Sequence, residues 1–279
     1  MHAHVLYNSR IVPASEKVLS PGQIGLLSGW GIFTTLRIYD GVAFAFERHW
    51  QRMAKDAALL HVPLAFERDA VRRSIGELIR ANQAENSVAR LCVVRNQGGF
   101  WEGPGIANAA DLLVLTSDIK AWAQTARLTV APQARHAASP FAGTKILSWA
   151  CNLTWVEDAQ NRGFDEVILL NEREEVAECT SANVFSVREG KVATPPLSSG
   201  CLPGVTRNVL LEEIGGIEER VLLLEDLYRA EEVFLTSTTR ELMAVGEIDG
   251  HAIPGNGSVR ARLQQAFTAH VRRYINEAK

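Results

Sequence analysis

The sequence predicts two α/β domains whose sheets are mixed and largely antiparallel. Strand-like alternation and helical periodicity succeed each other along the whole chain, and two strand-like runs meet at an Asp-Gly turn. The 279 residues, which carry no internal repeat or low-complexity tract, suffice for two modest domains or one large one. The pattern places an N-terminal α/β domain at residues 1–119 and a C-terminal α/β domain at residues 120–279.

In the predicted first domain, residues 34–39 and 42–46 flank Asp40 and Gly41, the signature of a β-hairpin. Apolar residues then recur at helical spacing, which predicts an amphipathic helix over residues 47–61. The same periodicities predict a second helix over 66–85 and strands over 89–94 and 111–116.

In the predicted second domain, four short apolar runs predict strands, and two longer stretches predict helices. A Pro-Gly pair at residues 203–204 directly precedes the second of these helices. The strands are predicted over 127–130, 166–170, 182–187 and 232–235, and the helices over 146–162 and 205–214.

Composition narrows the class of partner. A net charge of −3 offers no electrostatic reason to bind nucleic acid or an anionic membrane, and the apolar runs are too short to span a bilayer. The first residues lack the basic start and apolar core of a signal peptide. The four cysteines show no metal-ligand spacing and are expected to be reduced, so we expect a cytoplasmic enzyme without a metal site.

Lys145 and Glu178 are the two residues with the most distinctive chemical setting. Lys145 lies in residues 142–147, otherwise free of charge, where loss of hydration favours a neutral amine that attacks carbonyl carbon. Glu178 opens the hydroxyl-rich segment 178–185, which runs into an apolar strand. A Schiff-base lysine and an acid partner for a pyridinium nitrogen are what a pyridoxal phosphate enzyme needs. Taken alone, each has a more ordinary explanation, a surface lysine and a strand-end ion pair.

Three further segments supply groups that bind phosphate. Arg52 lies one helical turn from His49, and a guanidinium binds phosphate through two parallel hydrogen bonds. The Pro-Gly pair delivers Val205 and Thr206 to a helix start, where free amides attract anions. Residues 236–239 are four hydroxyl residues after an apolar strand. The ordinary alternatives are a solvated helix face, a capped turn and a satisfied loop.

The order and spacing of these segments resemble the fold-type IV (class IV) pyridoxal phosphate-dependent aminotransferases. This group contains branched-chain aminotransferases, D-amino acid aminotransferases and 4-amino-4-deoxychorismate lyases. The resemblance covers nearly the whole chain, from residues 31–37 through 178–185 to 234–239. It implies a two-domain fold-type IV architecture, amino acid and 2-oxo acid substrates, and a homodimer in which the substrate loop of one subunit reaches the other's site.

The resemblance also implies residue roles. Lys145 corresponds to the catalytic lysine, which acts as general base and acid once an amino acid has displaced it. Glu178 corresponds to the acid on the pyridine nitrogen, and Arg52 to the phosphate arginine with His49 as its neighbour. The remaining correspondences are Val205 and Thr206 at the phosphate-binding helix start, Thr238 as the last phosphate hydroxyl, and Thr239 as a backbone amide facing the substrate carboxylate.

The substrate is predicted from the wall of the expected pocket. Phe33 supplies an apolar wall, and Arg37, Arg95 and Arg240 are candidate carboxylate binders, with surface or structural arginines as the alternative. Apolar walls with a cation suit an aliphatic or aromatic amino acid better than a sugar or a diamine. The prediction is therefore a branched-chain-like aminotransferase.

The sequence departs from each subfamily of the resemblance. Ala150 stands where branched-chain enzymes usually carry a tyrosine, and Phe100 and Glu102 stand where D-amino acid enzymes carry an arginine and a histidine. Residues 148–150 do not reproduce the lyase signature. A D-amino acid aminotransferase and a 4-amino-4-deoxychorismate lyase thus remain alternatives. A non-catalytic dimeric protein of the same fold is a distant one, since both Lys145 and Glu178 are retained.

Overall fold

A computed structural model describes residues 1–103, 106–255 and 257–278. The chain forms two compact units. The first unit comprises Met1–Lys120, Lys145–Trp149 and the end of the chain from Arg273, and the second comprises Ala121–Thr144 and Ala150–Arg272. No helix of the described residues is both long and apolar enough for a bilayer crossing.

The first unit is built on a six-stranded antiparallel sheet of order β2-β1-β6-β5-β3-β4. Its strands are β1 (His4–Tyr7), β2 (Arg10–Pro13), β3 (Gly31–Tyr39), β4 (Val42–Ala43), β5 (Ser87–Arg95) and β6 (Ala110–Ser117). Its helices are α1 (Ile24–Ser28), α2 (Phe46–Leu59) and α3 (Arg68–Asn82).

The helices of the first unit follow the predicted amphipathic patterns. Met53 and Ala57 of α2 are buried in one core with Ile32 and Leu36 of β3. The predicted hairpin is present, but its second strand ends at β4, short of the predicted residue 46. The reason is Ala45, whose φ of +52° lies in the left-handed region and turns the chain into α2.

The second unit is built on a nine-stranded sheet of order β12-β11-β10-β13-β14-β7-β8-β9, with β15 paired to β14. Its strands are β7 (Thr125–Ala131), β8 (Glu166–Leu170), β9 (Val176–Cys179), β10 (Asn183–Arg188), β11 (Lys191–Thr194), β12 (Ile217–Glu219), β13 (Glu232–Ser237), β14 (Glu241–Ile248) and β15 (His251–Ala252). Its helices are α4 (Ala150–Asn161), α5 (Val205–Val209), which continues as a π-helix over Leu210–Ile214, α6 (Leu224–Tyr228) and α7 (Ser258–Ala278), whose last residues belong to the first unit.

Parallel and antiparallel pairs coexist in this second sheet. The pairs β11/β12, β14/β7 and β7/β8 are parallel, and the others are antiparallel. The predicted class, α/β with mixed and largely antiparallel sheets, is confirmed.

The segment that carries Lys145 differs from its prediction. A helix was expected over residues 146–162, but α4 begins only at Ala150. Ahead of it, Phe33 donates a backbone hydrogen bond to the Lys145 carbonyl, and Leu147 donates one to the Gly31 carbonyl, each at 3.0 Å. These bonds hold the segment alongside β3. Lys145–Trp149 therefore belongs to the first unit, whereas the predicted range 120–279 included it in the second domain.

Candidate active site

In the first unit, a buried hydrogen-bond cluster joins α2 to β3. Nη2 of Arg52 donates to Oγ1 of Thr34 at 2.7 Å, and Nδ1 of His49 lies 2.7 Å from the same hydroxyl. Because Arg52 donates to this oxygen, the hydroxyl hydrogen is available for His49. Thr34 thus orients both side chains that the sequence singled out on this helix.

His49 is neutral in this cluster. It is only 2% exposed, and burial together with the positive charges of Arg52 and Lys145 lowers the pKa of its imidazole well below the ordinary value. The positive charge of the cluster therefore resides on the guanidinium of Arg52, which attracts an anion.

Lys145 faces an aromatic wall. Its Nζ lies 4.5 Å from the ring centroid of Phe33 and 5.6 Å from that of Trp149, and the two rings meet edge to face with 5.7 Å between centroids. Its backbone N–H donates to Oδ2 of Asp56 at 3.1 Å. The amine is thus positioned by α2 against an apolar surface.

Arg90, which the sequence analysis did not select, contacts the same wall. Its Cζ lies 4.3 Å from the ring centroid of Phe33 and 5.9 Å from that of Trp149. In the β3/β5 ladder, Phe33 is opposite Cys92 and Thr35 is opposite Arg90, so Phe33 and Arg90 share one face of the sheet. The two-residue alternation of the predicted strand 89–94 was the available signal for this face.

Arg37 and Arg95, the candidate carboxylate binders of the first unit, have backbone partners. Nη1 of Arg37 donates to the carbonyls of Ile38 and Ser87 at 2.8 and 2.9 Å. Nη1 of Arg95 donates to the His61 carbonyl at 2.6 Å, and its guanidinium stacks 3.9 Å from the Trp30 ring centroid. Both guanidiniums are thus held by the backbone, and their assignment to a substrate carboxylate stays a prediction.

In the second unit, Glu178 is a buried carboxylate that accepts hydrogen bonds from a side chain and from the backbone. Nε of Arg135 donates to Oε1 at 3.2 Å, and the backbone N–H of Leu202 donates to Oε2 at 3.0 Å. Nη2 of Arg135 donates to Oδ1 of Asn152 at 3.2 Å, and Nδ2 of Asn152 donates to the Thr180 carbonyl at 2.6 Å. Arg135 and Asn152 were not predicted from the sequence, because they lie far from Glu178 along the chain and leave no local signal.

The start of α5 is fitted closely to β10. Nδ2 of Asn183 donates to the Leu202 carbonyl at 2.8 Å, and a Cβ at Gly204 would clash with Oδ1 of Asn183. A side chain at residue 204 would therefore displace the Asn183 amide from its place beside the helix start. Val205 begins α5 as predicted, and Thr206 follows with 5% exposure.

Thr238, Thr239 and Arg240 form the turn between β13 and β14. Oγ of Ser237 accepts the Arg240 backbone N–H at 3.1 Å, which closes the turn. The Arg240 side chain forms a buried ion pair with Glu166, with 2.9 Å between Nη2 and Oε2. Its guanidinium therefore has a structural partner, and its predicted contact with a substrate carboxylate stays a prediction.

Comparison with known proteins identifies the family. A model of the family described as Amino-transferase class IV matches residues 31–248. The chain belongs to the class IV aminotransferases. It is accordingly a pyridoxal phosphate-dependent aminotransferase, the enzyme class expected from the sequence.

Individual relatives differ in their names. The chain is 30% identical to the putative branched-chain-amino-acid aminotransferase of Methanocaldococcus jannaschii, with 94% of each chain covered. It is 29% identical to the D-alanine aminotransferase of Bacillus licheniformis, with 95% of each chain covered. It also matches the solved structure of the branched-chain amino acid aminotransferase from Escherichia coli, with a TM-score of 0.87, 25% identity, and 97% and 95% of the two chains covered.

The residues that the family resemblance assigns to the cofactor fit pyridoxal phosphate chemically. The cofactor has a basic ring nitrogen, a phosphate dianion and an aldehyde. The described residues include a buried carboxylate at Glu178, an amine at Lys145 and a guanidinium at Arg52. Hydroxyls of Thr206 and Thr238 and the helix start at Val205 complete the set.

Proposed function

We propose that the protein transfers an amino group between an apolar, branched-chain-like amino acid and a 2-oxo acid, with pyridoxal phosphate attached to Lys145. The observation that carries the proposal is the wall of Phe33 and Trp149, against which both the Lys145 amine and the Arg90 guanidinium lie. The wall suits an apolar side chain, and a guanidinium suits the carboxylate common to both substrates.

The cofactor is assigned to residues of complementary charge. When bound, pyridoxal phosphate supplies an electron-withdrawing ring that stabilises negative charge at the substrate α-carbon. Glu178 holds a proton on the ring nitrogen, and Arg135 and the Leu202 amide keep this carboxylate oriented. The phosphate is assigned to Arg52, Val205, Thr206 and Thr238.

Lys145 has the proton-transfer role. As general base, its amine takes the proton from the α-carbon of the amino acid substrate. As general acid, it gives a proton back to the α-carbon derived from the 2-oxo acid. Asp56 fixes the lysine backbone, and the aromatic wall excludes water on one side of the amine. Neutral His49 leaves the positive charge of Arg52 available to the phosphate.

Spectra of half-reactions test the substrate assignment. The purified coloured protein is mixed with single L- and D-amino acids, and loss of the visible absorbance reports amino transfer. We expect L-leucine, L-isoleucine and L-valine to react fastest. A reaction confined to D-amino acids would contradict this assignment and favour a D-amino acid aminotransferase, the second candidate, which the 29% identity to a D-alanine aminotransferase supports.

Two other results would indicate the remaining alternatives, a lyase and a non-catalytic protein. Release of pyruvate from aminodeoxychorismate without an amino acceptor would indicate the lyase. A colourless protein that takes up no cofactor would indicate a non-catalytic relative of the fold.

We also propose that the protein is a homodimer, as the family resemblance implies, and that it works in the cytoplasm, as its cysteine pattern suggests. Light scattering coupled to size-exclusion chromatography checks the dimer, for which the expected mass is twice the 30.7 kDa of one chain. A single species at 30.7 kDa would contradict it.

A further inference from the structure

The second unit contains a buried ion pair that the proposed chemistry does not use. Glu166 begins β8, and its carboxylate accepts Nη2 of Arg240 at 2.9 Å. The two side chains are only 2% and 7% exposed, respectively. Both ions are therefore almost fully removed from water, and their other polar atoms must also find partners.

Glu166 uses its remaining acceptor capacity on the turn that follows Glu178. The backbone N–H of Thr180 donates to Oε1 of Glu166 at 3.2 Å, and the Thr180 hydroxyl donates to the same oxygen. The Ser181 hydroxyl donates to Oε2 at 2.7 Å. Three hydrogen bonds from two successive residues thus anchor this turn to one carboxylate.

Arg240 contacts the same turn and also a tryptophan that is bonded to its own turn. Its Nη1 donates to the Ser181 hydroxyl at 2.9 Å, and its guanidinium stacks 4.1 Å from the Trp122 ring centroid. Nε1 of Trp122 in turn donates to the Thr239 carbonyl at 3.0 Å. The turn that carries Thr238 and Thr239 is therefore tied to the same ion pair.

The connection reaches the Glu178 carboxylate itself. Thr180 accepts from Asn152 through its carbonyl, Asn152 accepts from Arg135, and Arg135 donates to Glu178. A continuous series of polar contacts thus runs from Glu178 to Arg240 within one unit.

A buried ion pair is a poor device for stability alone. Replacing such a pair by apolar residues of similar volume is often neutral or stabilising, because removal from water offsets the attraction of the charges. What this pair supplies is directional anchoring, because the Glu166 carboxylate and the Arg240 guanidinium bond at fixed angles to the turn after Glu178, while Arg240 itself belongs to the second turn.

We propose that Glu166 and Arg240 are positioning residues for the cofactor. They fix the turn after Glu178 relative to the turn of Thr238 and Thr239, so that the ring acid and the phosphate hydroxyl keep the spacing that the cofactor requires. The inference rests on the proposed function, in which Glu178 and Thr238 contact pyridoxal phosphate.

The test is the cofactor affinity of the apo protein, measured by titration with pyridoxal phosphate, alongside its thermal unfolding. We expect Arg240→Gln to weaken the affinity on the order of tenfold or more, as displaced supports do at other sites. The matched control is Arg127→Gln, which breaks a half-exposed pair with Glu247 between β7 and β14 of the same sheet. The control is expected to bind the cofactor like the wild type.

Two further variants separate charge from geometry. Arg240→Lys keeps the positive charge but loses the planar set of guanidinium donors. Its affinity for pyridoxal phosphate is therefore expected to lie between those of the wild type and Arg240→Gln. The double variant Glu166→Gln with Arg240→Gln leaves no unpaired charge. We expect its affinity loss to be smaller than the sum of the single losses, on a logarithmic scale.

The inference is overturned if Arg240→Gln unfolds at a lower temperature yet binds the cofactor like the wild type, because the pair then serves stability alone. If that variant does not fold, Ser181→Ala decides, since it removes only the hydroxyl shared by both ions. A loss of cofactor affinity of about threefold, which corresponds to one weak hydrogen bond, supports the inference. Wild-type affinity in Ser181→Ala overturns it. Failure of the wild type itself to bind pyridoxal phosphate would instead overturn the proposed function.

Discussion

The backbone N–H of Lys145 donates a hydrogen bond to Oδ2 of Asp56, with 3.1 Å between the two atoms. Asp56 lies on the buried face of α2 with His49 and is 4% exposed. Burial raises the pKa of its carboxyl, while the Lys145 amide and the charges of Arg52, Lys55 and Lys145 act in the opposite direction. One helix thus supports both the backbone of the lysine and the guanidinium beside it.

Asp56→Asn changes how stability depends on pH. Because the pKa of Asp56 is raised in the folded state, its carboxyl contributes most to the stability of the wild type at pH values below the ordinary pKa of 3.8. This contribution to stability is lost as pH rises through the folded-state pKa. The amide does not titrate. The stability of Asp56→Asn relative to the wild type is therefore expected to improve as pH rises through this acid window, measured by urea unfolding at a series of pH values. A constant difference would contradict the prediction.

His49→Asn tests a pKa shift in the opposite direction, downward instead of upward. The folded-state pKa of His49 is depressed, so its contribution to stability is present above the ordinary value of 6.5 and is lost as pH falls below it. We expect the wild type to lose more stability than His49→Asn between pH values of about 7.5 and 5.5, a span that brackets the ordinary histidine pKa. Urea midpoints at the two pH values measure this, and equal losses would show that His49 is not buried and neutral.

Lys145→Ala is expected to lower turnover by at least about a thousandfold, because both attachment and proton transfer require its amine. The visible absorbance of the purified protein should disappear as well. Lys17→Ala, at an exposed lysine of the first unit, is the control and should retain both properties. A Lys145→Ala protein with full transaminase activity would exclude the assignment.

Arg90→Gln is expected to raise KM for the amino acid and the 2-oxo acid about 10- to 100-fold, the range for one lost hydrogen-bonded charge. Affinity for the cofactor should stay unchanged, since Arg90 is assigned to the substrate carboxylate. Arg10→Gln, whose side chain is 65% exposed on β2, controls for charge. Unchanged KM values in Arg90→Gln would remove Arg90 from the substrate site.

Glu178→Gln is expected to reduce kcat by about a hundredfold or more, because a neutral amide does not hold the ring nitrogen protonated. It also leaves Arg135 without its carboxylate, which is expected to lower the free energy of unfolding by about 1–3 kcal/mol. Steady-state kinetics and urea unfolding measure the two effects. Wild-type kcat combined with reduced stability would indicate that Glu178 is a structural ion-pair partner only.

Local pattern was sufficient for elements whose residues determine their own conformation. The strand over 166–170 has its predicted bounds, and Val205 begins a helix directly after the Pro-Gly pair. These predictions succeed because alternation of apolar residues and turn chemistry act within a few residues. Short segments of distinctive composition also singled out Lys145 and Glu178, whose roles stay predictions.

Tertiary structure decided which partners these residues have. Lys145–Trp149 is not helical because its backbone groups bond to β3, more than a hundred residues earlier in the chain. Arg240 has Glu166 as its partner, and Arg135 has Glu178, although neither pair is close in sequence. Hydrogen bonds and ion pairs form between groups that the fold brings within about 3 Å, a distance that no local sequence window encodes.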